Sequence, residues 1–194
     1  MWAGIDFGSK YAGTTAVCYG NHTNTKFVLG TTKKQDADEF IVSLLESLKP
    51  EIVCIDAPLS LPGIYTLGNQ YSNYFYREAD VATSAMSPMF LGGLTARAMQ
   101  LKRKLESMGM KVFEVYPAAF VKYHELADSY NKKDKQLIRQ FLAILQHTFD
   151  LKLDSFDTTS WHHVDAIICW IISSRIKKGE AIAYGHEPEG MIYV

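Results

Sequence analysis

The chain contains 194 residues, of which 47% are hydrophobic and 12% aromatic, and its formal net charge is −1. This hydrophobic content predicts a folded core and excludes an intrinsically disordered chain. The length predicts a single domain over residues 1–194. The nearly neutral charge is not that of a strongly basic, nonspecific nucleic-acid-binding protein.

The sequence also lacks the patterns of a secreted or membrane-spanning protein. The longest apolar run, residues 164–172, is interrupted by Asp165 and is too short to cross a bilayer. The N-terminus has no basic region followed by an apolar core and a cleavage site. The three cysteines are far apart in apolar segments, which predicts buried, reduced thiols. These patterns predict a cytoplasmic protein with no membrane partner.

The first part of the chain is predicted to form strands. Three strands are expected near residues 1–7, 13–20 and 25–31, as an antiparallel meander with turns at 8–13 and 20–24. A helix follows, because Asp36 and Glu39 resemble a capping box and Pro50 ends an apolar helical face. A fourth strand then ends at Asp56, just before Pro58.

Helices dominate the rest of the chain. Residues 59–94 are rich in Gly, Pro, Ser and Tyr, which predicts loops and short helices over a site. A helix at about 95–108 leads into a fifth strand that carries Glu114. The remaining predicted elements are helices after Pro117, near 134–149 and near 161–177, and a final hairpin or extended edge at 181–194.

These elements predict an α/β protein built on a mixed five-stranded sheet flanked by helices. Strands 1 to 3 are expected to be antiparallel, and strands 4 and 5 are expected to be parallel. This order matches the ribonuclease H fold.

Carboxylates stand at the predicted ends of three strands, as Asp6, Asp56 and Glu114. A fourth carboxylate, Asp165, lies in a predicted helix, with His162 three residues earlier on the same face. Converging carboxylates repel one another, and a hard divalent cation that prefers oxygen ligands compensates this repulsion. The pattern therefore predicts a site for Mg²⁺ or Mn²⁺.

Six short motifs follow one another along the whole chain. They are Gly4-Ile5-Asp6-Phe7-Gly8, Ile55-Asp56-Ala57-Pro58-Leu59-Ser60-Leu61-Pro62, Arg77-Glu78-Ala79-Asp80, Glu114-Val115-Tyr116-Pro117, His163-Val164-Asp165-Ala166 and Glu189-Gly190-Met191-Ile192-Tyr193-Val194. In these motifs the chain resembles the predicted nucleases of ribonuclease H fold that are catalogued as a domain of unknown function. That family is related to nucleases like the Holliday-junction resolvases.

The resemblance implies a divalent-metal-dependent nuclease that hydrolyses phosphodiester bonds with Mg²⁺ or Mn²⁺. Its superfamily gathers a first-strand aspartate, a fourth-strand acid and a helical acid around the metal. The implied metal ligands and catalytic residues are Asp6, Asp56 and Asp165, with His162 as a further catalytic residue. From the residues themselves, Glu114 is expected to add to the catalytic group, and Lys10 and Arg77 are expected to hold substrate phosphates. The implied partner is DNA or RNA, and a homodimer would suit a branched substrate.

Each of the acidic residues also has a structural interpretation. Asp6 and Asp56 could serve as turn residues at strand ends, and Asp165 could cap the first turn of its helix. Glu114 could instead pair with Arg77 or Arg97.

Three further groups of residues are open to two interpretations. Arg77 and Asp80, three residues apart, could form a surface ion pair. Four tyrosines could stack on bases or belong to the core, namely Tyr65, Tyr71, Tyr74 and Tyr76. The basic clusters at 102–104, 132–135 and 175–178 are interpreted as solvated helix ends, with weak or transient phosphate contact as the alternative.

Two other classes of function use the same features. Sugar kinases and related ATPases also begin with an aspartate and a glycine turn that cradles phosphate, although they duplicate it in a larger chain. A nucleotide-binding ATPase or kinase-like protein is therefore the alternative enzyme. A noncatalytic scaffold, which binds a partner through the tyrosine-rich segment, is the alternative without chemistry.

Overall fold

The computed structural model describes residues 1–21, 25–153 and 160–194. The strands are β1 (Trp2–Asp6), β2 (Ala16–Gly20), β3 (Thr25–Gly30), β4 (Ile52–Asp56), β5 (Lys111–Val115), β6 (Ala183–His186) and β7 (Gly190–Tyr193). The α-helices are α1 (Ala37–Leu48), α2 (Glu78–Thr83), α3 (Pro88–Leu91), α4 (Gly93–Ser107), α5 (Pro117–Tyr123), α6 (Ile138–Thr148) and α7 (Trp161–Lys178). The predicted turn at 20–24 lies mostly outside the described residues.

The strands form one sheet in the order β3-β2-β1-β4-β5-β7-β6. β1 and β3 are antiparallel to β2, whereas β4 is parallel to both β1 and β5. The directions of the first five strands are as predicted, since β1 to β3 pair antiparallel and β4 and β5 pair parallel. The predicted number of strands is wrong, because the sheet has seven strands within the described residues. The tail folds into the hairpin β6–β7, and β7 adds to the sheet in parallel beside β5.

Helices cover both faces of this sheet because side chains alternate along its central strands. Trp2, Ile52 and Cys54 pack in the cluster that contains the apolar residues of α5, α6 and α7. Ile5 and Ile55 pack on the opposite face, with the apolar residues of α1 and α4. The result is a layer of sheet between two layers of helix.

The boundaries of α1 show how local sequence sets these elements. Asp36 is the N-cap, as predicted, and its side chain accepts hydrogen bonds from the backbone N–H groups of Asp38 and Glu39. The helix ends at Lys49, which adopts a left-handed conformation directly before Pro50.

The packing of β1 on α7 is unusually close and depends on Gly4. A Cβ at position 4 would lie 2.6 Å from the Ala166 carbonyl oxygen, and still closer to the backbone of Cys169 and Trp170. Glycine is therefore required here, because the backbones of strand and helix are in contact.

Two further predictions concern the core and the membrane. Cys18, Cys54 and Cys169 are buried, as predicted, and form no disulfide within the described residues. Among the described helices, none combines the length and apolar character needed to span a bilayer.

Candidate active site

Asp6 and Asp56 lie side by side at the ends of β1 and β4. The two strands are parallel and in register, with Asp6 directly opposite Asp56. By the alternation along each strand, both side chains lie on the face covered by α7. Asp165 comes from the second turn of α7 and completes a group of three carboxylates.

The three carboxylates are close enough to share a cation. One oxygen atom from each of Asp6, Asp56 and Asp165 can be chosen so that all three lie within 4.8 Å of one another. Asp6 is 9% exposed and Asp165 only 1% exposed. The cluster is therefore largely removed from solvent, where mutual repulsion between carboxylates is strong.

Burial and repulsion act on the acid–base properties of this cluster. Burial, followed by the nearby charge of Asp6, raises the pKa of Asp56 well above its usual value. Burial also raises the pKa of Asp165 to about 6, although Lys132 opposes the shift. Carboxylates in this position favour binding of a cation, because a cation restores the charged form.

Two side chains from the segment between α5 and α6 already bind Asp165. The Tyr130 hydroxyl donates to Oδ1, and the Lys132 ammonium lies 2.5 Å from Oδ2. Asp165 therefore does not cap the first turn of α7; the cap is Ser160, which accepts from the His163 backbone N–H. The interpretation of Lys132 as part of a solvated helix end is wrong, since its ammonium lies on a buried carboxylate.

The neighbouring histidines have different positions. His162 Nδ1 lies 2.6 Å from Asp6 Oδ2, so its ring belongs to the carboxylate cluster. The hydrogen bond to Asp6 raises the pKa of His162. His163 instead packs beside Gly30 on β3, where a Cβ would lie 2.7 Å from His163 Nε2.

Glu114 lies on the opposite face of the sheet from Asp56. Glu114 on β5 pairs with Ile55 on β4, the residue just before Asp56. Neighbouring residues of a strand point to opposite faces, so the side chains of Glu114 and Asp56 lie on different faces. Its Oε2 accepts from Arg77 and from the Leu59 backbone N–H, and its Oε1 accepts from Arg77. Both oxygens are thus engaged, and the carboxylate is not placed to join the three aspartates.

Arg77 is completely buried, at 0% exposure. Its guanidinium lies 2.5 Å from Asp80 Oδ1 and 2.5 Å from Glu114 Oε1, and it donates to the Ser60 hydroxyl. This position is not compatible with the predicted binding of substrate phosphates. The interpretation of Arg77 and Asp80 as a surface ion pair is also wrong, because Asp80 is 1% exposed.

Glu189 extends this buried polar network, and sequence reasoning gave it no role beyond the closing motif. Its Oε1 accepts from the Gly63 N–H at 2.7 Å, and its Oε2 accepts from the Glu78 N–H at 2.8 Å. The only available signal was an acid beside a glycine near the end of the chain, which does not reveal its partners.

Lys10 and the predicted tyrosines have partners outside the group of three aspartates. The Lys10 ammonium is 3.0 Å from Asp36 Oδ2, and its side chain is 40% exposed. Tyr65 packs edge-on against Tyr74, and both are exposed. Tyr71 stacks on His186 and bonds to its ring, so the tyrosines are not a single stacking platform.

A cavity of about 220 Å³ opens beside Asp6 and Asp56. Its other walls include Glu114 and Tyr116, together with the apolar side chain of Met86 from the segment before α3. Asp6 and Asp56 therefore lie in the wall of a cleft that also contains further acidic and apolar side chains.

The fold and site define an α/β protein with a ribonuclease H-like strand order and a cluster of three aspartates. The model of the family DUF429, "Protein of unknown function", matches residues 76–189, more than half of the chain. The chain belongs to this family, which confirms the resemblance found in the sequence.

Two solved structures are similar over most of the chain. The Thermus thermophilus RuvC structure is 16% identical with a TM-score of 0.43, covering 92% of this chain and 96% of that one. T. thermophilus RuvC in complex with Holliday junction substrate is 15% identical with a TM-score of 0.45, covering 92% and 95%. A search of curated proteins gave no match.

Proposed function

We propose that this protein is a divalent-metal-dependent nuclease that hydrolyses phosphodiester bonds at Asp6, Asp56 and Asp165. The observation that carries the proposal is the convergence of three carboxylates from β1, β4 and α7 on one point, at the edge of a cleft. Three acids held together away from solvent repel one another, and this repulsion costs stability unless positive charge offsets it.

The donor atoms fit Mg²⁺ or Mn²⁺. All three are carboxylate oxygens, which these hard cations prefer over nitrogen or sulfur. The cluster already attracts positive charge from the protein, since Lys132 contacts Asp165 and His162 contacts Asp6. When bound, divalent ions in such sites activate water and stabilise the charge that develops on a phosphodiester.

The protein side chains contribute binding and proton transfer. Because Asp6 accepts the hydrogen bond from His162 Nδ1, the nitrogen left for water or substrate is Nε2. His162 is half exposed, so a proton can be exchanged there with solvent. Lys10 is the remaining predicted phosphate contact, because its exposed ion pair with Asp36 is weak enough to exchange.

Glu114 supports the site from the other face of the sheet. Through Arg77 it connects β5 to α2, and through the Leu59 N–H it fixes the segment that follows Asp56. Its role in this proposal is to position that segment, and it does not act on the substrate.

The test is cleavage of a labelled panel of single-stranded, duplex, hybrid and branched nucleic acids with Mn²⁺. Wild type and Asp56→Asn, purified identically, are compared. We expect cleavage by wild type and a loss of at least about 100-fold in Asp56→Asn, because one metal ligand loses its charge.

Two outcomes would contradict the proposal. Equal cleavage by both proteins would indicate a contaminating nuclease. Absence of cleavage by both would favour a nucleotide-binding or scaffold function for the same fold.

A further inference from the structure

Lys132 is held at the carboxylate cluster by a well-packed segment. The Tyr130 ring lies 5.3 Å from that of Trp161 and 5.4 Å from that of Phe141. The Trp161 indole N–H donates to the Asp134 carbonyl at 3.0 Å. These contacts on both sides of Lys132 attach its segment to the start of α7, so its position is built into the fold.

The Lys132 side chain reaches the cluster from solvent. It is 48% exposed, whereas the side chain of its partner Asp165 is 2% exposed. The site therefore holds a lysine ammonium at a buried carboxylate, on a side chain that is itself partly exposed to solvent.

We propose that the Lys132 ammonium competes with the divalent cation for Asp165 and thereby sets how tightly the site binds metal. This inference rests on the proposed function, because it takes the three aspartates as the metal ligands.

The competition follows from the contacts of Asp165. One of its oxygens accepts from Tyr130, and the other is in contact with Lys132. A divalent cation that binds Asp165 must share or replace one of these contacts. Tyr130 is neutral and can stay, whereas two positive centres on one carboxylate repel each other. The lysine is therefore the partner that leaves, and its exposed stem allows it to move into solvent.

The experiment is titration calorimetry of metal-stripped protein with MnCl₂ at constant pH. We compare wild type with Lys132→Met and Lys132→Gln, and use Lys133→Met as the control of equal charge change. Lys133 is the exposed neighbour, and its backbone N–H donates to the Asn131 side chain. We expect Mn²⁺ to bind about tenfold more tightly to both Lys132 variants, a gain of about 1.4 kcal/mol, and Lys133→Met to match wild type.

Thermal unfolding gives a second readout that does not depend on catalysis. Without its ammonium partner, metal-free Lys132→Met has more uncompensated acidic charge, so saturating Mn²⁺ should raise its melting temperature more than that of wild type. Lys132→Gln retains a hydrogen-bond donor for Asp165. It replaces Lys132→Met in both measurements if Lys132→Met does not fold.

The outcomes separate this inference from the proposed function. If the Lys132 variants bound Mn²⁺ as tightly as the wild type or more weakly, the inferred competition would be overturned. If Asp56→Asn abolished binding in the same titrations, the metal site itself would stand. Absence of binding by all proteins would overturn both.

Discussion

At the scale of single residues, His124 shows how surroundings change a common side chain. Its ring lies between Phe120 and Phe149, with centroids 4.5 and 5.0 Å away. Its Nε2 is buried and has no hydrogen-bond partner among the described residues. Burial, followed by the charge of Arg175, lowers the pKa of His124. The neutral ring is thus the form that suits the folded protein.

This shift makes stability depend on pH. Because the folded pKa lies below the unfolded value of 6.5, the unfolded chain binds the proton more readily. The contribution of His124 to the free energy of unfolding is fully present above pH 6.5. It is lost as the pH falls towards the pKa that His124 has in the folded protein. We expect the loss of unfolding free energy between about pH 7.5 and about pH 5 to be smaller in His124→Phe. Urea unfolding at several pH values measures this loss of unfolding free energy in both proteins.

The control for this prediction is His147→Phe, at an exposed position near the end of α6. In His147→Phe, the free energy of unfolding should depend on pH as it does in the wild type. Identical slopes in wild type and His124→Phe would show that His124 does not contribute to the pH dependence.

Individual residues also show where sequence reasoning succeeded. Asp6 and Asp56 could be placed together, because each ends an apolar run and parallel strands bring such ends to one edge. Glu114 could not be distinguished from them, since a shift of one residue in register moves a side chain to the other face. Lys132 could not be found, because its segment has no periodic pattern that reports a long-range contact.

At the scale of elements, Arg77 attaches the short helix α2 to the sheet. It precedes α2, and its guanidinium joins Asp80 within that helix to Glu114 on β5. All three side chains are buried, so no water replaces a lost partner. A helix of six residues cannot be stable alone and depends on this attachment.

We therefore expect Arg77→Ala to reduce the free energy of unfolding by about 3–5 kcal/mol, because two carboxylates would remain buried without their cation. Chemical denaturation measures the loss. The matched control is Arg97→Ala, which removes a guanidinium that also binds a carboxylate, that of Asp38, but at a partly exposed position. Arg97→Ala should lower the free energy of unfolding by about 1 kcal/mol. Equal losses would mean that burial of the Arg77 network has no special cost.

Elements with strong apolar patterns were predicted well. The first five strands and the long helices agree with the structure because each has an apolar run or face ended by a cap, proline or glycine. The tail was predicted as a hairpin or an extended edge, but its place in the sheet was not. β7 has only four residues, and its pairing with β5 depends on contacts between distant parts of the chain.

At the scale of the whole molecule, the hairpin β6–β7 completes the sheet and the buried network together. β7 covers the edge of β5, next to Glu114 and Val115. Glu189, in the turn of the hairpin, binds the N–H groups of Gly63 and Glu78. The end of the chain thus holds the segment that runs from β4 to α2.

Deletion of residues 181–194 should therefore affect the entire protein. An uncovered β5 edge invites association with other chains, and the Glu189 contacts are lost. We expect a melting temperature at least about 6 °C lower, on the scale of about 2–4 °C per kcal/mol for a chain of this size. Scanning calorimetry measures the melting temperature, and size-exclusion chromatography measures the association of chains.

Glu189→Gln tests the network alone, since it keeps the strands and one acceptor oxygen. Its melting temperature should lie between those of the wild type and the deletion. A deletion protein as stable and monodisperse as the wild type would show that the hairpin is dispensable.

The contact between Gly4 and α7 bears on how related sequences that keep the aspartate cluster can be recognised. Asp6 lies two residues beyond Gly4 on β1, and Asp165 lies beside Ala166 on α7, so this contact fixes the spacing of the two acids. A related sequence could keep all three aspartates and still lose their convergence if a side chain at position 4 held the helix away from the strand. The chemical signature of this site therefore includes a residue with no functional group.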